Sequence, residues 1–112
     1  MATSFKNQIT PNVSTSPTAI ITMPPTARAT VIGMSLANKT ADPVTVSITV
    51  TDTSVAPSVV GYYMKDIIIP ANQTLRAVNG GERLLVASEN VVHVTATVAN
   101  AVDSIVSYVE IS

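Results

Sequence analysis

Val44-Thr45-Val46-Ser47-Ile48-Thr49-Val50-Thr51 alternates apolar and hydroxyl-bearing residues without a break. Successive side chains of a strand point to opposite faces, so the segment predicts a strand with Val44, Val46, Ile48 and Val50 buried. Thr45, Ser47, Thr49 and Thr51 then form its solvated face. The same chemistry runs through the chain: 17 Val, 15 Thr and 10 Ile are present among 112 residues. All three are branched at Cβ, stiff at χ1, and fit a pleated sheet better than a helix. No segment of helix length carries a 3.6-residue period, and short apolar runs alternate with turn residues. The expected fold is all-β: an antiparallel β-sandwich, of jelly-roll or immunoglobulin-like type, with about seven or eight strands.

Working upstream, residues 28–38 alternate, with Ile32, Met34 and Leu36 on one face and Gly33 and Ser35 on the other. Residues 19–23 form a short apolar run closed by Pro24 and Pro25, which fit a strand end or sheet edge because proline cannot donate to a ladder. Residues 1–17 are rich in Thr, Ser, Asn and Pro. They predict an extended N-terminal arm, with Phe5 and Ile9 as its anchors to a core, ahead of one sandwich domain over residues 18–112.

Downstream, residues 38–43 read as a turn and 52–58 as a loop. Val59 to Ile69 is almost continuously apolar, carries Tyr62, Tyr63 and Met64, and is ended by Pro70. Such a run predicts a strand covered on both sides, with another subunit as one candidate cover, and bent near Lys65 and Asp66. Residues 74–78 and 83–86 flank Asn79-Gly80-Gly81, which predicts a tight hairpin. Val92, Val94, Ala96 and Val98 then alternate with His93, Thr95 and Thr97. In the last strand, Val102 to Ile111, Ile105, Val109 and Ile111 share one face and Val106 and Tyr108 the other.

A chain of 112 residues is the common size of one domain and can bury a cooperative core without staples. It has no Cys, which removes thiolate zinc sites, thiol nucleophiles and disulfides together. A net charge of −1 provides no positive field for nucleic acid or an anionic membrane. Charged residues make up 12% of the chain, about half the usual fraction. So few charges on a Thr-rich surface suggest that other subunits cover part of it. Met1 to Lys6 lacks a basic region followed by an apolar stretch, so no secretory signal is expected, and no apolar run approaches the roughly 20 residues of a membrane span.

The residues offer little chemistry. His93, the only histidine, has Val92 and Val94 on the opposite face of its strand, which reads as a surface residue rather than a general base or pH switch. Seven carboxylates (Asp42, Asp52, Asp66, Glu82, Glu89, Asp103 and Glu110) lack the spacing of a calcium loop. A glycosidase pair needs only proximity in space, so spacing leaves it open. Asn79-Gly80-Gly81 is followed by no Lys and Ser or Thr pair, unlike a phosphate loop. Sequons at Asn12, Asn38 and Asn72 arise easily in a chain so rich in Ser and Thr. Tyr62, Tyr63 and Lys65 are the nearest approach to a base-stacking platform. Adjacent strand residues point to opposite faces, so at most one tyrosine is available to stack. No catalytic, cofactor-binding or metal-binding residue is assigned.

Four segments resemble small β-sandwich virion proteins of tailed bacteriophages, including phages of cyanobacteria. They are Thr30-Val31-Ile32-Gly33-Met34-Ser35-Leu36-Ala37-Asn38; Tyr62-Tyr63-Met64-Lys65-Asp66 leading to Ile69-Pro70; Gly80-Gly81-Glu82-Arg83-Leu84-Leu85-Val86; and Ser107-Tyr108-Val109-Glu110-Ile111. The resemblance implies a particle-bound, non-enzymatic role: a capsid decoration (cement) protein on the major capsid protein, or a neck, collar or tail component. It carries over no active-site residues. A module bridging shell subunits gains from several modest contacts, and symmetry at such a site favours a homo-oligomer, a trimer among them. The expected location is the virion, with synthesis in the host cytoplasm. A glycan-binding module is the alternative of another class, against which stands the scarcity of aromatics, four in all and no Trp.

Overall fold

The computed structural model describes residues 2–78 and 83–112. Among these, nine strands and no helix are present: β1 (Thr3–Thr10), β2 (Thr18–Thr22), β3 (Arg28–Asn38), β4 (Val44–Asp52), β5 (Val59–Ile69), β6 (Thr74–Val78), β7 (Leu84–Val86), β8 (Asn90–Ala96) and β9 (Val102–Ile111). One sheet has the order β1-β9-β3-β6, with β7 also paired to β3, and the other has the order β2-β8-β4-β5. All pairings are antiparallel. They are also nested: β4 with β5, β3 with β6 and β7, β2 with β8, β1 with β9. The chain is thus one long antiparallel hairpin, its apex between β4 and β5, wound across two sheets.

Both sheets contribute to one core. Val31, Met34, Leu36 and Val106 enter it from one side, and Val46, Ile48, Val92 and Val94 from the other. β4 has the two-faced pattern read from its alternation: Val44, Val46 and Ile48 are buried, and Val50 packs against the core. β9 behaves likewise, with Val102, Ser104, Val106 and Tyr108 inward and Ile105 exposed. The Ser104 hydroxyl is buried with no hydrogen-bond partner among the described residues, a local cost of about 1–3 kcal/mol.

Bulges shift the phase of several strands. In β3 the register against β9 slips between Val31 and Gly33. Ala29 and Val31 point inward before the slip, and Met34 and Leu36 after it. Ile32, expected on the face of Met34 and Leu36, is therefore turned out and exposed. The slip between Ala19 and Ile21 lets consecutive residues Ile20 and Ile21 both be buried. In β6 a slip does the same for Ala77 and Val78. β5 carries extra residues opposite Val46 to Thr49, and Asp66 sits at φ 52 with its N–H donating to Ser47 Oγ at 3.0 Å. The bend expected near Lys65 and Asp66 lies there.

Three expectations change. The first 17 residues are not an arm outside the domain: Thr3–Thr10 pairs along the length of β9 as an edge strand. Phe5 and Ile9 do not anchor it, being 83% and 59% exposed. Val13 does, buried and donating its N–H to Val102 O at 2.8 Å. Among the described residues, the strands around Asn79-Gly80-Gly81 do not pair with each other as in a hairpin; β6 and β7 both pair with β3, along successive stretches of it. The turn itself, residues 79–82, lies outside the described residues. Finally, β5 is not covered on both sides by its own chain. It is a sheet edge, with Val59, Val60, Tyr62 and Ile68 exposed.

Candidate interaction surface

The inward set of β3 and β9 leaves their alternate residues on the outer face of the first sheet. The register aligns these into rows. One row runs Phe5, Val109, Thr30, Leu85, and a second runs Ile9, Ile105, Ser35, Arg76. Phe5 and Leu85, at opposite ends of the first row, are 83% and 65% exposed. Between the rows, Ile32, Gly33, Ser35, Arg76, Ile105 and Ser107 border a depression of about 420 Å³. The two rows carry one charged side chain, Arg76, at their margin. The depression itself is mixed, with Ile32 and Ile105 beside Ser35, Ser107 and the Arg76 side chain, and the apolar weight of the face lies around it in Phe5, Ile9 and Leu85.

The outer face of the second sheet is different. Ser47, Thr49 and Thr51 of β4, Thr95 and the half-buried His93 of β8, and Tyr62 and Val60 of β5 border a second depression, of about 370 Å³. Thr49 and His93 are direct cross-strand partners. Tyr62 is exposed on this face, with the Lys65 ammonium 5.3 Å from its ring centroid, a cation–π contact. Tyr63 turns the other way, half-buried, and donates its hydroxyl to Ala77 O at 3.2 Å. The two tyrosines therefore split between faces, although Tyr63 is itself the extra residue between the pairs Ile48–Met64 and Thr49–Tyr62.

Three of the carboxylates, Asp52, Asp103 and Glu110, are occupied with structure. Asp52 accepts from the N–H and hydroxyl of Ser54 at 2.9 and 2.6 Å, and the Ser54 hydroxyl holds its carboxyl below the usual range. Glu110 pairs with Lys6 at 3.0 Å, joining β9 to β1. Asp103 accepts from the Asn12 N–H at 2.9 Å and from Lys39 Nζ at 3.0 Å, while Lys39 also donates to the Asn12 side chain. Glu82 lies outside the described residues. Among the described residues no group of three or more His, Asp or Glu is placed to hold a metal ion. No helix there is long and apolar enough to cross a membrane.

Asn12 and Lys39 together hold the Asp103 carboxyl below its ordinary value, the Asn12 N–H being the larger cause. A carboxylate favoured by folding contributes stability above its unfolded pKa of about 3.9, and that contribution is lost as pH falls through the lower folded value. Asp103→Asn is expected to cost about 0.5–1 kcal/mol at neutral pH, the modest size reflecting exposure of the pair. The cost should shrink as pH falls below about 4. Urea melts of parent and variant at neutral and acid pH check this; a difference independent of pH would refute it.

Asn38 is the one sequon position that is deeply buried. Its amide donates to Asp42 O, Ile69 O and Pro70 O at 2.8, 3.0 and 3.2 Å, and its Oδ1 accepts from the Thr40 N–H and hydroxyl at 3.0 and 2.7 Å. It fastens the turn after β3 to the end of β5, and has no room for a glycan. In comparisons with known proteins, no family model, no curated protein and no solved structure matches the chain.

Proposed function

We propose that the chain is a non-catalytic structural protein of a tailed-phage virion, a decoration subunit that binds and reinforces the head shell. The observation that carries this reading is the apolar outer face of the first sheet, where Phe5, Ile9, Ile105 and Leu85 stand in solvent with almost no charge among them. The nested pairing across two antiparallel sheets supports it too: we read it as a jelly roll, an architecture that viral capsid and lectin domains share. Fold analogy alone does not assign function, so the docking face has the greater weight. On a shell, several such contacts spread over neighbouring subunits add up to tight attachment.

The test is to add the purified protein to expanded heads that lack it, image them, and follow their thermal disruption. Saturable density at symmetry-related shell sites and heads that survive to higher temperature are expected. The paired variant Phe5→Ser, Leu85→Ser should keep its circular dichroism spectrum and lose attachment. Density confined to the neck or tail would reassign the protein to those structures, and no attachment anywhere on the particle would overturn the reading.

A second reading, a glycan-binding module of a tail fibre, draws on Tyr62 beside the hydroxyls of Ser47, Thr49, Thr51 and Thr95. It predicts retention on immobilised host polysaccharide that Tyr62→Ala abolishes.

A further inference from the structure

β1 is the terminal strand of its sheet, and its residues are exposed on both faces except for partial cover at Ser4 and Thr10. Its ladder with β9 runs unbroken from Thr3 to Thr10, without a bulge. The other sheet edges are blunted in the ways that prevent strand addition. β2 has five residues, a register slip, and Pro17 just before it. β5 is bulged and has Asp66 in the left-handed region. The edge beyond β3 is divided between β6 and β7. β1 is thus the one long regular edge among the described residues.

The hydrogen-bond phase of that edge follows from its inner partner. Ala2 and Ser112 exchange both backbone hydrogen bonds, at 2.8 and 2.9 Å. In an antiparallel ladder such pairs alternate with pairs that make none. Ser4, Lys6, Gln8 and Thr10 therefore direct their N–H and C=O groups to β9. Thr3, Phe5, Asn7 and Ile9 direct theirs outward, to the free edge. These same odd-numbered residues carry the side chains of the apolar outer face.

We propose that β1 pairs antiparallel with β1 of a second copy, with Asn7 opposite the partner's Asn7 on a two-fold axis, joining the two sheets into one. Only registers that set odd residues opposite odd residues satisfy the free edge. Three of these are centred on the strand. Centring on Lys6 places two ammonium groups opposite each other at a close, non-hydrogen-bonded pair, which is destabilising. Centring on Gln8 puts Phe5 against the partner's Pro11 and Asn7 against its Ile9. Centring on Asn7 puts Phe5 opposite the partner's Ile9, an aromatic–aliphatic cross-strand pair, twice by symmetry, and Lys6 opposite the partner's Gln8. The same register makes one apolar row across the junction: Val109, Phe5, then the partner's Ile9 and Ile105.

An edge of eight residues is about 27 Å long and buries less than the standard interface of about 1,600 Å², which puts the pairing in the weak class in dilute solution. Cross-linking reads such a contact directly, and the chain has no native cysteine to confuse it. In the proposed register the two Asn7 Cα atoms stand about 5.5 Å apart, inside the range of a disulfide. The two Thr3 Cα atoms stand about 27 Å apart, far outside it.

Asn7→Cys should form a disulfide-linked dimer under mild oxidation at least tenfold faster than Thr3→Cys. Asn7→Pro removes an N–H that faces the free edge, leaves the ladder to β9 intact, and should keep the melting temperature while abolishing the concentration-dependent dimer seen by sedimentation. Equal rates for the two cysteine variants, or a Pro variant that still dimerises, would overturn the pairing. Because the readout is self-association alone, it stands or falls separately from shell binding: a monomer that decorates heads would sink this pairing and leave the proposed function intact.

Discussion

An Ile48→Ala variant is expected to lose about 3–4 kcal/mol of stability and to melt roughly 10–20 °C below the parent. Ile48 has no solvent exposure and lies mid-strand in β4, with Val94 of β8 and Met64 of β5 as its cross-strand neighbours. Strands on both sides hold the surrounding backbone, so the site cannot collapse into the space left behind. The loss then includes the cavity as well as the transfer of the missing methyl and methylene groups. Urea denaturation with an unchanged m-value would show that stability alone has moved. Ile48→Val should cost about 0.5–1.5 kcal/mol. Thr49→Ala, next in sequence but on the outer face, should stay within about 0.5 kcal/mol. Similar losses for Ile48→Ala and Thr49→Ala would contradict the two-faced description of β4.

Asn38→Ala is expected to cost about 3 kcal/mol by a different route. The carboxamide donates to three carbonyl oxygens, those of Asp42, Ile69 and Pro70, and accepts twice from Thr40. Asp42 O keeps the Thr40 hydroxyl at 3.0 Å and Pro70 O keeps the Gln73 N–H at 3.1 Å, so the loss falls on Ile69 O and the Thr40 N–H, each worth about 1–3 kcal/mol less whatever water recovers. Asn38→Asp sharpens the test, since it keeps size and shape but replaces the donor with a carboxylate facing three carbonyl oxygens. It should be no more stable than the alanine variant at neutral pH. An aspartate variant as stable as the parent would show that the donated bonds carry little of the energy.

The predicted loss at Asn38 also bears on what a sequence reader can see. Asn38-Lys39-Thr40 has the form of a glycosylation site, and nothing in those three letters distinguishes a surface acceptor from a buried clasp. The distinction depends on Ile69 and Pro70, some thirty residues away, arriving at the same corner. The exposed apolar face of the first sheet was hidden for a related reason. Phe5 and Ile9 read as anchors because apolar residues in a polar segment usually seek a core. They belong instead to an edge strand whose neighbour is β9, at the other end of the chain. The opposite facing of Tyr62 and Tyr63 was legible from alternation, but the bulge at Tyr63, which brings Met64 to the core beside it, was not.

Local periodicity and composition are enough to set an all-β chain, the inward and outward faces of β4 and β9, the bend in β5, and the scarcity of charge. These follow from side-chain alternation along a single strand. The nested strand order, the entry of residues 3–10 into a sheet, and the phase slips that expose Ile32 and bury Ile20 beside Ile21 arise only from long-range pairing. A bulge is one residue in one strand set against none in its neighbour, so it exists only in the pairing. Whether an apolar face is buried or left for a partner depends likewise on which strands end up at the edge, and no segment contains that information alone.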